Sequence, residues 1–195
     1  MKNLILLISI TLLSIVAKAE SDTSKVALLV VDIQDFYFAG GKSELVNPLP
    51  AAMNAAKLVA EFRAKGWPVI FIKHQSQDQD QIHESVMPME GEPVFTKTAV
   101  NSFVGTPLRD YLIDHKVSKL VVCGMQTHMC VEAVVRAGTD YGYQVTLVHD
   151  ACATKNLKWG DEIIPAKMVH LSTLATLRSY ANVLSTDEYL ESIKK

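Results

Sequence analysis

The segment Lys119–Gly142, KLVVCGMQTHMCVEAVVRAGTDYG, constrains the fold of this chain more than any other segment. Its first five residues form a short apolar run rich in β-branched side chains, which is typical of a strand buried on both faces of a parallel sheet. Gly124 interrupts this run. From about His128 the apolar residues follow a helical period, which Gly138 or Gly142 can end. A buried strand, a turn and an amphipathic helix in direct succession indicate an α/β fold.

Cys130 lies where this helix is predicted to begin. Thr127 is a natural N-cap residue, so Cys130 falls in the first helical turn. Unpaired N–H groups and the positive end of the helix dipole favour a thiolate there, and we therefore expect a lowered pKa for the Cys130 thiol. A nucleophile needs that setting, whereas most free cysteines are small core residues. The segment alone leaves both interpretations open.

The rest of the chain alternates between apolar strands and helices, without an internal repeat. Right-handed crossovers between parallel strands then give a three-layer α/β/α fold with a mainly parallel sheet of about six strands. We interpret QSQDQDQIHESVMPMEGEP as a long surface loop and TKNLKWGDEI as a second loop. The predicted strands are KVALLVV, WPVIFIKH, VFTKT, KLVVCG, YQVTLVHDAC and NVLST, and the predicted helices are PLPAAMNAAKLVAEFRAKG, LRDYLIDHK, the central helix, Ile164–Tyr180 and DEYLESIKK.

Residues 1–19, MKNLILLISITLLSIVAKA, have the pattern of a secretory signal peptide. Lys2 precedes an apolar core from Leu4 to Val16, and Ala17 and Ala19 form a small-residue cleavage site. The apolar core is too short for a membrane span, which takes about 20 residues. We therefore expect an exported protein, periplasmic in a Gram-negative source and otherwise secreted, with no membrane attachment after cleavage. Residues 20–195 are expected to form one domain.

Composition excludes two classes of ligand. Cleavage would remove two lysines and change the formal charge from -2 to -4. The sequence also contains no basic stripe with interleaved aromatic residues, so no nucleic-acid partner is expected. No G-x-G-x-x-G follows the first strand, so no nucleotide cofactor is indicated. Three cysteines are an odd number for an oxidising compartment, so at least one of them is unpaired within the chain.

Three residues with chemically useful side chains follow the ends of predicted strands. Asp32 comes after the first strand, Lys97 ends the third, and Cys130 follows the fourth. Because ligands bind at the carboxyl ends of parallel strands, we expect these side chains to share one sheet edge. An acid, a cation and a thiol form the set that a cysteine hydrolase needs. Taken singly, Asp32 could cap a turn and Lys97 could be a solvated strand end.

The histidines suggest a metal site as an alternative. His74 and His83 flank the polar loop, and with Asp78 or Asp80 they could ligate zinc or iron. Their spacing matches no tight ligand motif, and a pocket lining suits them better. We therefore expect no metal and no other cofactor.

The chain resembles the isochorismatase-like cysteine hydrolases, a superfamily that includes nicotinamidases and N-carbamoylsarcosine amidohydrolase. The resemblance covers about residues 26–190. It is carried by LLVVDIQDFYF, VFTKTAVNSF, VVCGMQTHMCVEAVVRAGTDYGYQVTLVHDACAT and the later Val169-His170.

Two features depart from particular relatives. Nicotinamidases carry an Asp-x-His motif and further histidines for a metal, whereas Lys73-His74-Gln75 stands here. Isochorismatases proper cleave a vinyl ether without a cysteine nucleophile, so Cys130 indicates acyl transfer.

The resemblance implies a catalytic triad of Asp32, Lys97 and Cys130. It also implies a cis peptide bond between Met125 and Gln126, and an oxyanion hole formed by the backbone N–H groups of Gln126 and Cys130. Relatives often assemble into dimers or tetramers, so a homo-oligomer is expected.

The sequence therefore predicts a secreted hydrolase that cleaves a C–N bond of a small amide or carbamoyl compound through a Cys130 thioester. Two other functions are considered: an exported, non-catalytic small-molecule-binding protein of the same fold, and a thiol redox protein that uses Cys130 and Cys152. The residues predicted to line the substrate pocket, because they lie on loops beside the triad, are Gln34, Phe36, His74, His83 and Phe103.

Overall fold

The computed structural model describes residues 25–77 and 80–194 of the chain. The predicted signal peptide and Asp78 lie outside the described residues. Within these residues, five α-helices and six parallel strands of one sheet form the architecture, which confirms the predicted three-layer α/β/α fold. No helix among the described residues is both long enough and apolar enough to cross a membrane.

The sheet strands have the order β3-β2-β1-β4-β5-β8, and every neighbouring pair is parallel. This order places β1 and β4 at the centre, and β2 separates β1 from β3. The strands are β1 (Lys25–Val31), β2 (Val69–His74), β3 (Val94–Lys97), β4 (Val117–Met125), β5 (Gln144–Ala153), β6 (Leu157–Trp159), β7 (Glu162–Ile164) and β8 (Asn182–Leu184), and the helices are α1 (Pro48–Ala64), α2 (Leu108–Asp114), α3 (Glu132–Asp140), α4 (Ala166–Leu177) and α5 (Thr186–Ser192).

The two faces of the sheet bury separate apolar layers. Along β1, Leu28 and Val30 pack toward α1 and α5, whereas the alternate residues Leu29 and Val31 pack toward α2, α3 and α4. This alternation follows from the two-residue period of a strand. Burial on both faces explains why β1 is a continuous apolar run rather than an alternating one.

Gly124 permits a close approach between the two central strands. It has φ +133° and is the register partner of Val31. A Cβ atom at this position would overlap the Val31 carbonyl group. Only glycine therefore fits here, and the approach sets the spacing between the carboxyl ends of β1 and β4, from which Asp32 and Cys130 follow.

The prediction that the segment TKNLKWGDEI is a loop is wrong. The segment contains an antiparallel ribbon in which β6 pairs with β7, and Gly160, with φ +57°, lies in the turn between them. Most of the residues of this ribbon are exposed, so no alternation of apolar and polar residues marks the strands in the sequence. The helix predicted over Ile164–Tyr180 is likewise shorter: α4 begins after Pro165 and ends at Leu177.

We expect Gly124→Ala to destabilise the protein by more than about 4 kcal/mol or to prevent folding, because the methyl group has no space and the backbone angle is unfavourable. Gly142→Ala is the matched control: it also has a positive φ, +87°, but nothing lies within 4 Å of the added Cβ. The control should lose about 1–2 kcal/mol. Urea unfolding followed by circular dichroism measures both values, and equal losses in the two variants would contradict the steric explanation.

Candidate active site

Three strands deliver the predicted acid, cation and thiol to one buried point. Asp32 directly follows β1 with φ +50°, and its backbone N–H donates to the Ile72 carbonyl at 2.9 Å. Lys97 is the last residue of β3, and Cys130 follows β4. The residues are 0%, 1% and 5% exposed, respectively. Side chains that are distant in sequence thus meet at the carboxyl edge of the sheet.

The ammonium group of Lys97 is the centre of this cluster. Its Nζ lies 2.7 Å from Asp32 Oδ2, 3.2 Å from Cys130 Sγ and 3.1 Å from Nδ1 of His74. The contact with Asp32 is an ion pair by distance. Neither carboxylate oxygen has a hydrogen bond of good angular geometry among the described residues. The carboxylate therefore retains capacity to accept a proton from the thiol.

The prediction that the central helix begins with Thr127 as its N-cap is also wrong. A π-helical turn, Thr127–Val131, precedes α3, and the Gln126 carbonyl accepts hydrogen bonds from the N–H groups of Met129 at 3.0 Å and Val131 at 3.3 Å. Thr127 is not the N-cap, because its hydroxyl bonds to the Ala153 carbonyl and to Nδ1 of His170. Cys130 consequently lies in a widened turn rather than in a regular first turn.

The prediction of a lowered pKa for Cys130 is wrong for the resting site. Burial, followed by the negative charge of Asp32, raises the pKa of the Cys130 thiol to about 12, although Lys97 acts in the opposite direction. Burial also raises the pKa of the Asp32 carboxyl above its ordinary value, again against the effect of Lys97. Desolvation of the thiolate is the largest cause of this upward shift. The resting thiol is protonated at neutral pH.

Proton transfer within the cluster does not change its net charge. With a carboxylate on Asp32 and a thiol on Cys130, Lys97 balances one negative charge. With a protonated Asp32 and a thiolate, Lys97 still balances one negative charge. Because burial penalises an unbalanced charge, moving the proton from sulfur to carboxylate is far less costly than ionising the thiol alone. This arrangement makes a thiolate at Cys130 accessible by proton transfer to Asp32.

Gln126 and Tyr37 form a polar pair beside the triad. The Met125–Gln126 peptide bond is cis. Gln126 Nε2 donates to the Tyr37 hydroxyl at 3.3 Å, and Gln126 Oε1 is buried without a hydrogen-bond partner among the described residues. Burial, with smaller effects of Asp32 and Cys130, raises the pKa of Tyr37, so the phenol stays protonated. Tyr37 was missed in the sequence, although a tyrosine within the aromatic run DFYF is a signal for a buried polar group.

The predicted pocket residues have diverse surroundings. Gln34 is fully buried, and its amide bonds to the backbone of His74 and to the Asp80 carbonyl, so it joins the end of β2 to the following loop. His83 stacks on Phe38 and accepts from the Ser85 N–H. Phe36 and Phe103 belong to the apolar layers on opposite faces of the sheet. His74 contacts the triad through Lys97, and the assignment of the other residues to a pocket stays a prediction.

The side-chain atoms that could bind a metal ion surround the ammonium group of Lys97. Asp32, His74 and Cys130 offer ligand atoms that lie within 4.8 Å of one another. All three contact the Lys97 ammonium, which therefore occupies the position that an ion would need. Asp80, considered as a ligand from the sequence, pairs with Lys73 at 3.1 Å. The donor set fits the chain's own cation better than a metal.

Comparison with known proteins identifies the family of this fold and site. Residues 26–187 match the isochorismatase domain. An uncharacterized isochorismatase family protein of Bacillus subtilis, YddQ, is 44% identical over 177 residues, which are 85% of this chain and 98% of that protein.

A solved structure and a named hydrolase extend the comparison. The crystal structure of an isochorismatase hydrolase from Oleispira antarctica superposes with a TM-score of 0.83 at 40% identity, covering 88% of this chain and 98% of that chain. A streptothricin hydrolase of Streptomyces noursei is 33% identical over 155 residues, which are 73% of this chain and 61% of that protein. Similarity therefore extends over nearly all of the described fold.

We expect Asp32→Asn to lower the pKa of the Cys130 thiol by at least about 2 units from its resting value of about 12. The substitution removes a negative charge and leaves Lys97 without an anion, so a thiolate becomes the favoured partner. The rate of alkylation by iodoacetamide as a function of pH measures this pKa, with Cys130→Ala as the background. Asp80→Asn, which alters a carboxylate outside the triad, should leave the pKa unchanged. A thiol pKa in Asp32→Asn at or above the wild-type value would contradict this account.

Proposed function

Because the chain belongs to the isochorismatase family, we propose that it is a cysteine hydrolase that cleaves a C–N bond of a small amide or carbamoyl compound. Asp32, Lys97 and Cys130 are its catalytic triad, and Cys130 forms a thioester with the acyl group. The family membership supports a hydrolase. The type of bond that is cleaved and the role of each residue are proposed here.

One observation supports this function more than any other. The Lys97 ammonium lies within 2.7 Å of a buried carboxylate oxygen and within 3.2 Å of a buried sulfur. A buried ion pair costs several kcal/mol per ion to desolvate, and a structural role at this position could be filled by apolar side chains. An acid and a thiol that share one buried cation are instead the components of nucleophilic catalysis.

The first half of the reaction forms the thioester. Asp32 accepts the proton of the Cys130 thiol, and the sulfur attacks the carbonyl carbon of the substrate. The carbonyl oxygen becomes an oxyanion, which the backbone N–H groups of Gln126 and Cys130 stabilise; losing one such donor typically costs about 3 kcal/mol. The protonated Asp32 then gives its proton to the leaving nitrogen as the C–N bond breaks. Ammonia or an amine leaves.

The second half releases the acyl group. Asp32, again a carboxylate, takes a proton from a water molecule, whose oxygen attacks the thioester carbonyl. The same N–H groups stabilise the second oxyanion, and the C–S bond breaks to return the sulfur as a leaving group that recovers the proton from Asp32. Lys97 stays charged throughout and lies beside each negative charge in turn.

An uncharged substrate fits the balance of charge at this site. Lys97 and Asp32 already compensate each other in a buried environment, so a further ionic group beside them would lie in the cluster without a counter-ion. A small neutral amide or carbamoyl group brings no such charge. The metal ligands expected of a nicotinamidase are absent from Lys73-His74-Gln75, which makes nicotinamide a poor candidate.

The two other functions have less support. A non-catalytic binding protein would not need an acid, a lysine and a thiol in mutual contact. A redox role requires a partner thiol for Cys130, yet the three cysteines are free and buried. The Cys152 thiol donates to the Val148 carbonyl at 3.3 Å rather than facing Cys130 in a disulfide.

Export and self-association complete the proposal. The N-terminal pattern of residues 1–19 supports secretion, or periplasmic location in a Gram-negative source. A homo-oligomer is proposed from the resemblance to the family. The partner in the reaction is a small molecule.

An ammonia-release screen over small amides and carbamoyl compounds tests the activity. Cys130→Ala and Asp32→Asn should each lower turnover at least about a thousandfold, because one removes the nucleophile and the other removes the base. Cys152→Ala should keep turnover within a few-fold of wild type, since Cys152 takes no part in the chemistry. Turnover in Cys130→Ala or Asp32→Asn close to that of wild type would end the proposal.

The signal peptide has a separate test. We expect cleavage after Ala19, so that Glu20 is the first residue of the exported protein. N-terminal sequencing of protein recovered from outside the cytoplasm measures this directly. Exported protein that still begins with Met1 would show that the segment is not removed.

A further inference from the structure

The side chain of His74 contacts the triad in a way that the proposed chemistry does not use. His74 is the last residue of β2 and the register partner of Lys97, the last residue of β3. Its ring Nδ1 lies 3.1 Å from Lys97 Nζ. The contact therefore joins the ends of two neighbouring strands, one of which supplies the triad's cation.

The hydrogen-bonding capacity of Lys97 explains what this contact can do. An ammonium group has three N–H donors and no acceptor. Asp32 Oδ2, Cys130 Sγ and His74 Nδ1 are three acceptor atoms at 2.7, 3.2 and 3.1 Å. The Lys97 side chain is 0% exposed, so bulk water cannot replace a missing acceptor. The hydrogen bonds to Cys130 and His74, together with the ion pair to Asp32, therefore restrict the position of the ammonium.

The backbone of His74 is itself held in place. Its backbone N–H donates to Gln34 Oε1 at 2.7 Å, and its backbone carbonyl accepts from Gln34 Nε2 at 3.0 Å. Strand pairing with β3 fixes the same residue from the other side. The backbone from which the His74 ring projects is thus fixed beside Lys97.

We propose that His74 is a positioning residue, which accepts an N–H of Lys97 and so holds the ammonium between Asp32 and Cys130. The inference rests on the proposed thiol chemistry at Cys130. Since Lys97 donates, Nδ1 of His74 carries no proton and the ring is the neutral Nε2–H tautomer. Burial and then the positive charge of Lys97 lower the pKa of His74, against the smaller effect of Asp32, which agrees with a neutral ring.

Two substitutions separate positioning from simple packing. His74→Phe keeps a ring of similar size but offers no acceptor, so one buried N–H of Lys97 loses its partner. His74→Asn places an amide oxygen close to the position of Nδ1 and cannot be protonated. The rate constant for alkylation of Cys130 by iodoacetamide at neutral pH reports on the thiol without requiring a substrate, and Cys130→Ala gives the background from Cys123 and Cys152.

We expect His74→Phe to be alkylated about tenfold more slowly than wild type, and His74→Asn to remain within about threefold, because a poorly held ammonium stabilises the thiolate less. Equal rates in all three proteins, or equal slowing in both variants, would overturn the positioning role. The second result would indicate that His74 acts through packing alone.

The tautomer of His74 gives an independent measurement. Nitrogen NMR of the wild-type protein at neutral pH should show an Nε2–H ring with Nδ1 as acceptor, and an Nδ1–H or doubly protonated ring would overturn the inference. If Cys130 in wild type reacts no faster than the Cys130→Ala background, the proposed thiol chemistry fails. The NMR result then still decides whether His74 accepts from Lys97, so the two failures are distinguishable.

Discussion

The buried ion pair between Lys97 and Asp32 is the interaction on which the site depends. Each ion would cost several kcal/mol to bury alone, so the two must arrive together. The sheet order places β2 between the strands that carry them, and the long lysine side chain spans the end of β2 to reach the end of β1. The topology therefore requires β2 to end where it does, at His74, which itself contacts the ammonium.

The raised pKa values of Asp32 and Cys130 are compatible with a nucleophilic thiol, because the two groups share one proton. The proton can lie on sulfur or on the carboxylate, and in both cases Lys97 balances one negative charge. Burial raises the pKa of both groups, which disfavours a separate charge on either one. A protonated and buried thiol is a poor target for oxidation. The site thus combines a protected resting state with a low-cost route to the thiolate.

The fold followed from the sequence because continuous apolar runs and helical periods record burial on both faces of a parallel sheet. The meeting of Asp32, Lys97 and Cys130 followed from their positions after strands. The β6–β7 ribbon was missed because most of its residues are exposed, and the π turn at Thr127 was missed because the Thr127 hydroxyl bonds to distant residues, Ala153 and His170. The predicted shift of the Cys130 thiol pKa had the wrong direction, because a helix terminus is visible in the sequence whereas the depth of burial is not.

A lysine at the centre of these donors has a consequence that a metal ion would not have. Asp32, His74 and Cys130 are all possible ligands, and a divalent cation among them would hold the sulfur as a bound thiolate and occupy the carboxylate. Neither group could then exchange a proton freely. An ammonium carries one charge and binds through directional N–H groups, so it neutralises the shared negative charge while leaving Asp32 Oδ1 open. The lysine therefore leaves the Asp32 carboxylate free to exchange a proton, which is the property that the proposed hydrolysis through a thioester requires.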